Sequence, residues 1–157
     1  MQEESLASNV LTLSSQSNLN NQKGLQYEKE FRITFADTNA EGNVSHYEYA
    51  KYFGIVRELF AMDLVPNFME DAGHKYLLKT CSASYEYKRD FFFGDTMLVC
   101  LRVNGVTASG LTLEADFINP KTGVIHASGV QEIVYTDLKG IPRRIPGELM
   151  SLLRTIA

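Results

Sequence analysis

Within this chain of 157 residues, the apolar side chains Tyr49, Tyr52, Phe53, Val56, Phe60 and Leu64 recur at intervals of three and four. So broad a stripe belongs to a helix pressed against a sheet, and it predicts one long helix from about His46 to Met62. Ser45 stands in the capping position, with Glu48 three places later, as in a capping box. Gly54 interrupts the helix at a cost of about 1 kcal/mol and leaves room for a neighbouring backbone or ligand.

The chain on either side alternates with a period of two, the mark of half-buried strands. Tyr27, Lys29, Phe31, Ile33 and Phe35 share one face, with Glu28, Glu30, Arg32 and Thr34 on the other. Pro66 ends or bends the helical region, and residues 67–76 read as a short helical turn. From Tyr76 the strand pattern returns, with Cys81, Ala83, Tyr85 and Tyr87 on one face. Met97–Val103 alternates, Gly105, Ser109 and Gly110 mark a turn, and Leu111, Leu113, Ala115 and Phe117 form the next inner face. Asn119-Pro120-Lys121-Thr122-Gly123 is a hairpin turn leading into a long final strand, Val124–Leu138. Pro146 opens a short terminal helix. One strand, one long helix and four antiparallel strands predict an α+β fold in two layers, a curved sheet wrapped around the helix. So small a curved sheet is expected to pair with a second subunit; whether two dimers join into a tetramer stays open.

Hydrophobic residues at 45% suffice for one core. Against 15 basic residues stand 19 acidic ones, a balance that argues against a nucleic-acid binder. Two cysteines, Cys81 and Cys100, are too few for a disulfide scaffold and fit a reducing compartment. No apolar run is long enough for a membrane span, and Glu3 and Glu4 do not begin a secretion signal. A cytoplasmic protein without metal or cofactor is the expectation. Residues 1–24, rich in Ser, Asn and Gln, are expected to form a flexible tail, and residues 25–157 a single domain.

The stretch Phe35-Ala36-Asp37-Thr38-Asn39-Ala40-Glu41-Gly42-Asn43-Val44, followed by the tyrosine-rich helix, resembles the 4-hydroxybenzoyl-CoA thioesterase group of the hotdog fold. The resemblance spans residues 27–138. Asp37 matches the group's structural acid, but Asn39 stands where most of its hydrolases carry a second carboxylate. The enediyne polyketide thioesterases, which act on chains held by an acyl carrier protein, share this asparagine. Thr38, Asn39, Gly42, Asn43, Val44, Arg57 and Thr80 match that branch. His46 departs from it: the branch has an aromatic residue there, whereas some acyl-CoA hydrolases have histidine.

The resemblance implies an acyl-thioester hydrolase with a catalytic set of Asn39, Arg57, Thr80 and His46, and a substrate-binding set of Gly42, Asn43, Tyr49 and Phe53. Asparagine cannot take a proton at neutral pH but can orient water or donate a hydrogen bond; alternatively Asn39 only caps its loop. Backbone N–H groups near Gly42 and Asn43, at the positive end of the helix, are expected to hold an oxyanion. Arg57 either reaches the pocket or pairs with Glu58 or Asp63. Thr80 binds the thioester oxygen or water, or is an ordinary strand residue. His46 serves as base or water binder, or tethers the loop. Glu48 is the first substitute base to consider. Lys75, Lys79, Lys88 and Arg89 form a loose basic rim that suits an acidic carrier protein or coenzyme A phosphates equally. The expected reaction is release of a polyketide or fatty acid from a carrier protein, giving a methyl ketone if a β-keto acid decarboxylates. An acyl-CoA thioesterase and a non-catalytic acyl-binding protein are the alternatives.

Overall fold

The computed structural model describes residues 24–157. The tail expected over residues 1–24 lies outside the described residues except for Gly24. The elements are β1 (Tyr27–Arg32), a 3-10 turn (Phe35–Asp37), α1 (His46–Leu64), α2 (Phe68–Asp71), β2 (Leu77–Tyr87), β3 (Thr96–Val106), β4 (Gly110–Asn119), β5 (Val124–Thr136) and α3 (Gly147–Ile156). The strands form one antiparallel sheet in the order β1-β3-β4-β5-β2. The predicted α+β architecture, a single long helix against a five-stranded sheet, is present.

The stripe explains the packing. Tyr49, Tyr52, Phe53, Val56, Phe60 and Leu64 are all buried, against Val99, Leu101, Ala115 and Phe117 of the sheet. Each such side chain contributes roughly 1.5–3 kcal/mol when taken from water, so the stripe holds α1 on the sheet despite Gly54. Ser45 is the N-cap residue, but its side chain makes no capping hydrogen bond. Glu48 instead turns to Lys51, so the expected capping box is not formed. β1 ends at Arg32, and Phe35 is not on an inner face: it is 75% exposed and stacks on Phe93 with ring centroids 4.0 Å apart. The chain leaves the sheet there because Asp37, two residues on, folds back onto Thr34.

A bulge between Thr80 and Ser82 changes the phase of β2. Thr80 is paired with Ile133 and Ala83 with Gln131, both inward-facing positions of β5. Cys81 is the extra residue, and Thr80 takes the inward place that strict alternation gave to Cys81. Gly105 likewise lies within β3 at a second bulge, not in the turn. On β5, Gly129 accommodates aromatic rings: a Cβ there would lie 2.7 Å from the Tyr85 ring and 3.1 Å from Phe53. Gly129→Ala is expected to destabilise the protein by about 1–3 kcal/mol through overpacking, read as a lower Tm in thermal denaturation; an unchanged Tm would mean that Tyr85 is not held.

Candidate functional site

β2 runs antiparallel to α1 along its open side. At one end the Tyr87 hydroxyl donates to the His46 carbonyl over 3.1 Å. At the other, Arg57, about three turns into the helix, meets the bulge. Arg57 Nη1 donates to Thr80 Oγ1 over 2.7 Å and to Gln131 Oε1 over 2.8 Å, and Gln131 Nε2 donates to the Tyr85 hydroxyl over 2.9 Å. Arg57 and Thr80 are thus brought together. Neither Glu58 nor Asp63 forms an ion pair with Arg57 among the described residues: Asp63 accepts from the Tyr27 hydroxyl. Burial lowers the pKa of Arg57 below its ordinary value, against the opposing pull of Glu58 and Tyr85; a guanidinium stays charged at neutral pH regardless. Its Nε and Nη2 hydrogens remain for a ligand.

Arg57 divides two spaces. Outside lies a groove of about 390 Å³ bordered by Glu58, Phe68, Leu77 and Lys79. Inside lies an almost wholly apolar void between α1, the sheet and α3, with Phe60, Leu113, Ile133, Leu149 and Leu153 on its walls.

Asn39 sits elsewhere. It is exposed in the loop before α1, where its Oδ1 accepts from the Glu41 amide over 2.9 Å. Its amide group finds no partner among the described residues and is free to donate. Among the described residues of one chain nothing joins Asn39 to Arg57: eleven residues of helix separate His46 from Arg57, about 16 Å of rise. The Gly42 amide is already bonded to the Asn39 carbonyl over 2.9 Å, so it is not an open oxyanion donor. Helix geometry leaves the amides of His46 and Tyr47 without intrahelical acceptors, and no side chain caps them. These amides, on exposed residues, are the donors the helix start offers.

Asn43 Nδ2 donates to Asp90 over 3.1 Å, tying the loop to the chain before Phe91. Tyr49 and Phe53 are buried in the core, and burial, with Asp90 nearby, pushes the Tyr49 hydroxyl up to about 12. Asp37 accepts from the Thr34 amide and hydroxyl, from Lys51 and from Tyr52. Burial alone would raise its pKa, but these four donors together hold it at about 2. Glu48 belongs to the same cluster through Lys51, away from Arg57 and Thr80. The basic rim is split along β2: Lys79 borders the outer groove and Lys75 pairs with Asp71, whereas Lys88 and Arg89 follow Tyr87 at the opposite end, near the start of α1.

Gln131 and Tyr85 were not among the sequence candidates. The signal for Gln131 was a lone polar residue in step with Ala127, Gly129 and Ile133 on the inner face of β5; a buried polar group is more informative than a buried apolar one. Among the described residues no His, Cys, Asp and Glu cluster could hold a metal, and no helix is long and apolar enough to cross a membrane.

The family model described as the thioesterase-like superfamily matches residues 33–153. The chain belongs to this superfamily. Membership supports a thioesterase-type hydrolase acting on an acyl thioester. No curated protein sequence matches significantly. Among solved structures, the dynemicin thioesterase is 23% identical, with a TM-score of 0.77 over 84% of this chain and 97% of its own. A gentisyl-coenzyme A thioesterase is 24% identical, with a TM-score of 0.70 over 81% and 98%. A 1,4-dihydroxy-2-naphthoyl-CoA thioesterase from Synechocystis is 16% identical, with a TM-score of 0.72 over 82% and 96%. At these identities the likeness of this superfamily member to the three carries the hotdog fold alone.

Proposed function

We propose that this protein hydrolyses an acyl thioester presented on a phosphopantetheine arm, with acyl-coenzyme A the first substrate class. The observation that carries the reading is Arg57, held by Thr80 and Gln131 where the outer groove meets the apolar void. An acyl chain fits the void, and a polar carrier arm fits the groove. The thioester carbonyl then lies beside the guanidinium.

Water attacks the carbonyl carbon, and the oxyanion forms against Arg57 or the His46 and Tyr47 amides. The C–S bond breaks, the acid leaves, and the thiolate takes the proton that water gave up. The Asn39 amide group orients the water; it cannot itself accept the proton.

A second copy completes this site. All of residues 80–84 are exposed on β2, the last strand of the sheet, and an edge of eleven residues invites pairing. Antiparallel pairing of two β2 strands sets the Tyr87 end of one beside the Thr80 end of the other. Asn39 and the helix start of one copy then approach Arg57 of its mate.

Coenzyme A is favoured because several similar structures are described as acting on its thioesters. The carrier-protein reading is favoured by the Asn39, Arg57 and Thr80 set and by the dynemicin thioesterase, described with bound polyene; on that reading a β-ketoacyl chain would leave as a β-keto acid and lose carbon dioxide to give a methyl ketone. The test offers one acyl group on coenzyme A and on a carrier protein and measures thiol release. Turnover of acyl-CoA is the expected result. Release from the carrier alone would transfer the reading to carrier-bound chains, and release from neither would leave an acyl-binding protein.

A further inference from the structure

The void behind Arg57 has a floor supplied by an element outside the sheet. Its near end is Arg57. α1 contributes Phe60, Ala61 and Val65, and α3 contributes Leu149 and Leu153. α1 lines the void from Arg57 to Val65, a helix rise of about 12 Å, and a chain lying along it would have that reach. The space is about 50 Å³, several times the roughly 10–15 Å³ that one water-sized occupant needs. Apart from the guanidinium and the Tyr76 and Tyr135 rings, its walls are aliphatic or Phe side chains. The tyrosines stack on one another at 4.8 Å.

We propose that Leu149 and Leu153 on α3 are the gauge that sets which acyl chain lengths the void accepts. The inference rests on the acyl-thioesterase reading for its catalytic readout and deepens it by naming the substrate class: linear, apolar acyl chains of medium length, with the carbonyl at Arg57 and the terminal methyl against α3. α3 suits the role mechanically. It is anchored at its ends, where Ile145 N donates to Ala108 O and Leu25 N to Ile156 O, and is not paired into the sheet. Its side chains therefore change the depth of the void without altering strand register. Leu149 is only partly buried, which makes it the safer site for substitution.

The test uses Leu149→Trp and Leu149→Ala in the full chain, with Tm measured to confirm folding. Two readouts are taken: kcat/KM across butyryl- to tetradecanoyl-CoA, and displacement of a fluorescent polyene fatty acid by free fatty acids of the same lengths. Leu149→Trp is expected to lower the decanoyl-to-butyryl ratio at least tenfold, and Leu149→Ala to move the optimum to longer chains. The fatty-acid affinities are expected to shift in the same order. Chain-length profiles that stay within twofold in both folded variants would overturn the gauge, as would failure of the wild type to bind any fatty acid. Should the wild type hydrolyse no thioester yet bind fatty acids with a length optimum that follows residue 149, the hydrolase reading falls and the gauge stands.

Discussion

Arg57→Ala is expected to lower kcat/KM for an acyl thioester by about 10²–10³, the usual cost of removing one preorganised oxyanion donor. The loss should fall on kcat, because on the proposed reading the guanidinium acts on charge that develops only in the transition state. Arg57→Lys should recover little. After contacting Thr80 Oγ1 and Gln131 Oε1 a single ammonium keeps one hydrogen on a point-like head, whereas the guanidinium keeps three in a fixed fork aimed at a carbonyl. Stability should change by no more than about 1–2 kcal/mol, since water from the outer groove can reach the acceptors left behind. Steady-state kinetics beside thermal denaturation separates the two effects. A folded Arg57→Ala protein with wild-type kcat would place this residue outside the reaction.

Asp37→Ala is expected to be the most destabilising single change in the loop, by about 2–3 kcal/mol. Its carboxylate is 3% exposed and paired with Lys51 at 2.8 Å. Breaking a buried pair costs more than breaking a surface one, but Lys51 is 44% exposed and screened by water, which sets the figure below the fully buried range. The same carboxylate gives an acid signature. Its pKa is about 2 when folded against an ordinary 3.8. A depressed folded value contributes stability that is complete above the unfolded pKa and lost as pH falls through the folded one. Stability should therefore decline between about pH 4 and pH 2, and the decline should be shallower in Asp37→Ala. Urea denaturation at several pH values checks both. Equal slopes in the two proteins would show that other carboxylates govern acid unfolding.

The parts of the fold written in periodicity were legible. The α1 stripe, the alternation of β3 and β4 and the hairpin before Val124 depend on local spacing, and local spacing is what a sequence displays. The bulge at Cys81 was not: one extra residue on an edge strand leaves no compositional trace, yet it decides that Thr80 rather than Cys81 faces Arg57. The turn at Phe35–Asp37 was hidden for a related reason. Phe35 continues the apolar alternation of β1, and only the contacts of Asp37 with Thr34, Lys51 and Tyr52 pull the chain out of the sheet. Resemblance to a family singled out Arg57 and Thr80, but the hydrogen bond between them, across 23 residues of sequence, was not legible. Gln131 was missed because the phase of the long last strand was not followed to its polar residue. Asn39 lies in its loop, and on the proposed reading its partner across the site belongs to a second copy, which a single sequence does not display.

The central claim is that one copy supplies Asn39 and the helix start while the other supplies Arg57. The measurement that tests it most directly mixes two inactive proteins, Asn39→Ala and Arg57→Ala, under conditions that exchange subunits, and follows acyl-thioester turnover. Mixed dimers carry one intact site and one doubly damaged one, so the mixture is predicted to regain roughly a quarter of wild-type activity. A mixture no more active than its components, with exchange of subunits verified, would contradict a site shared between two copies.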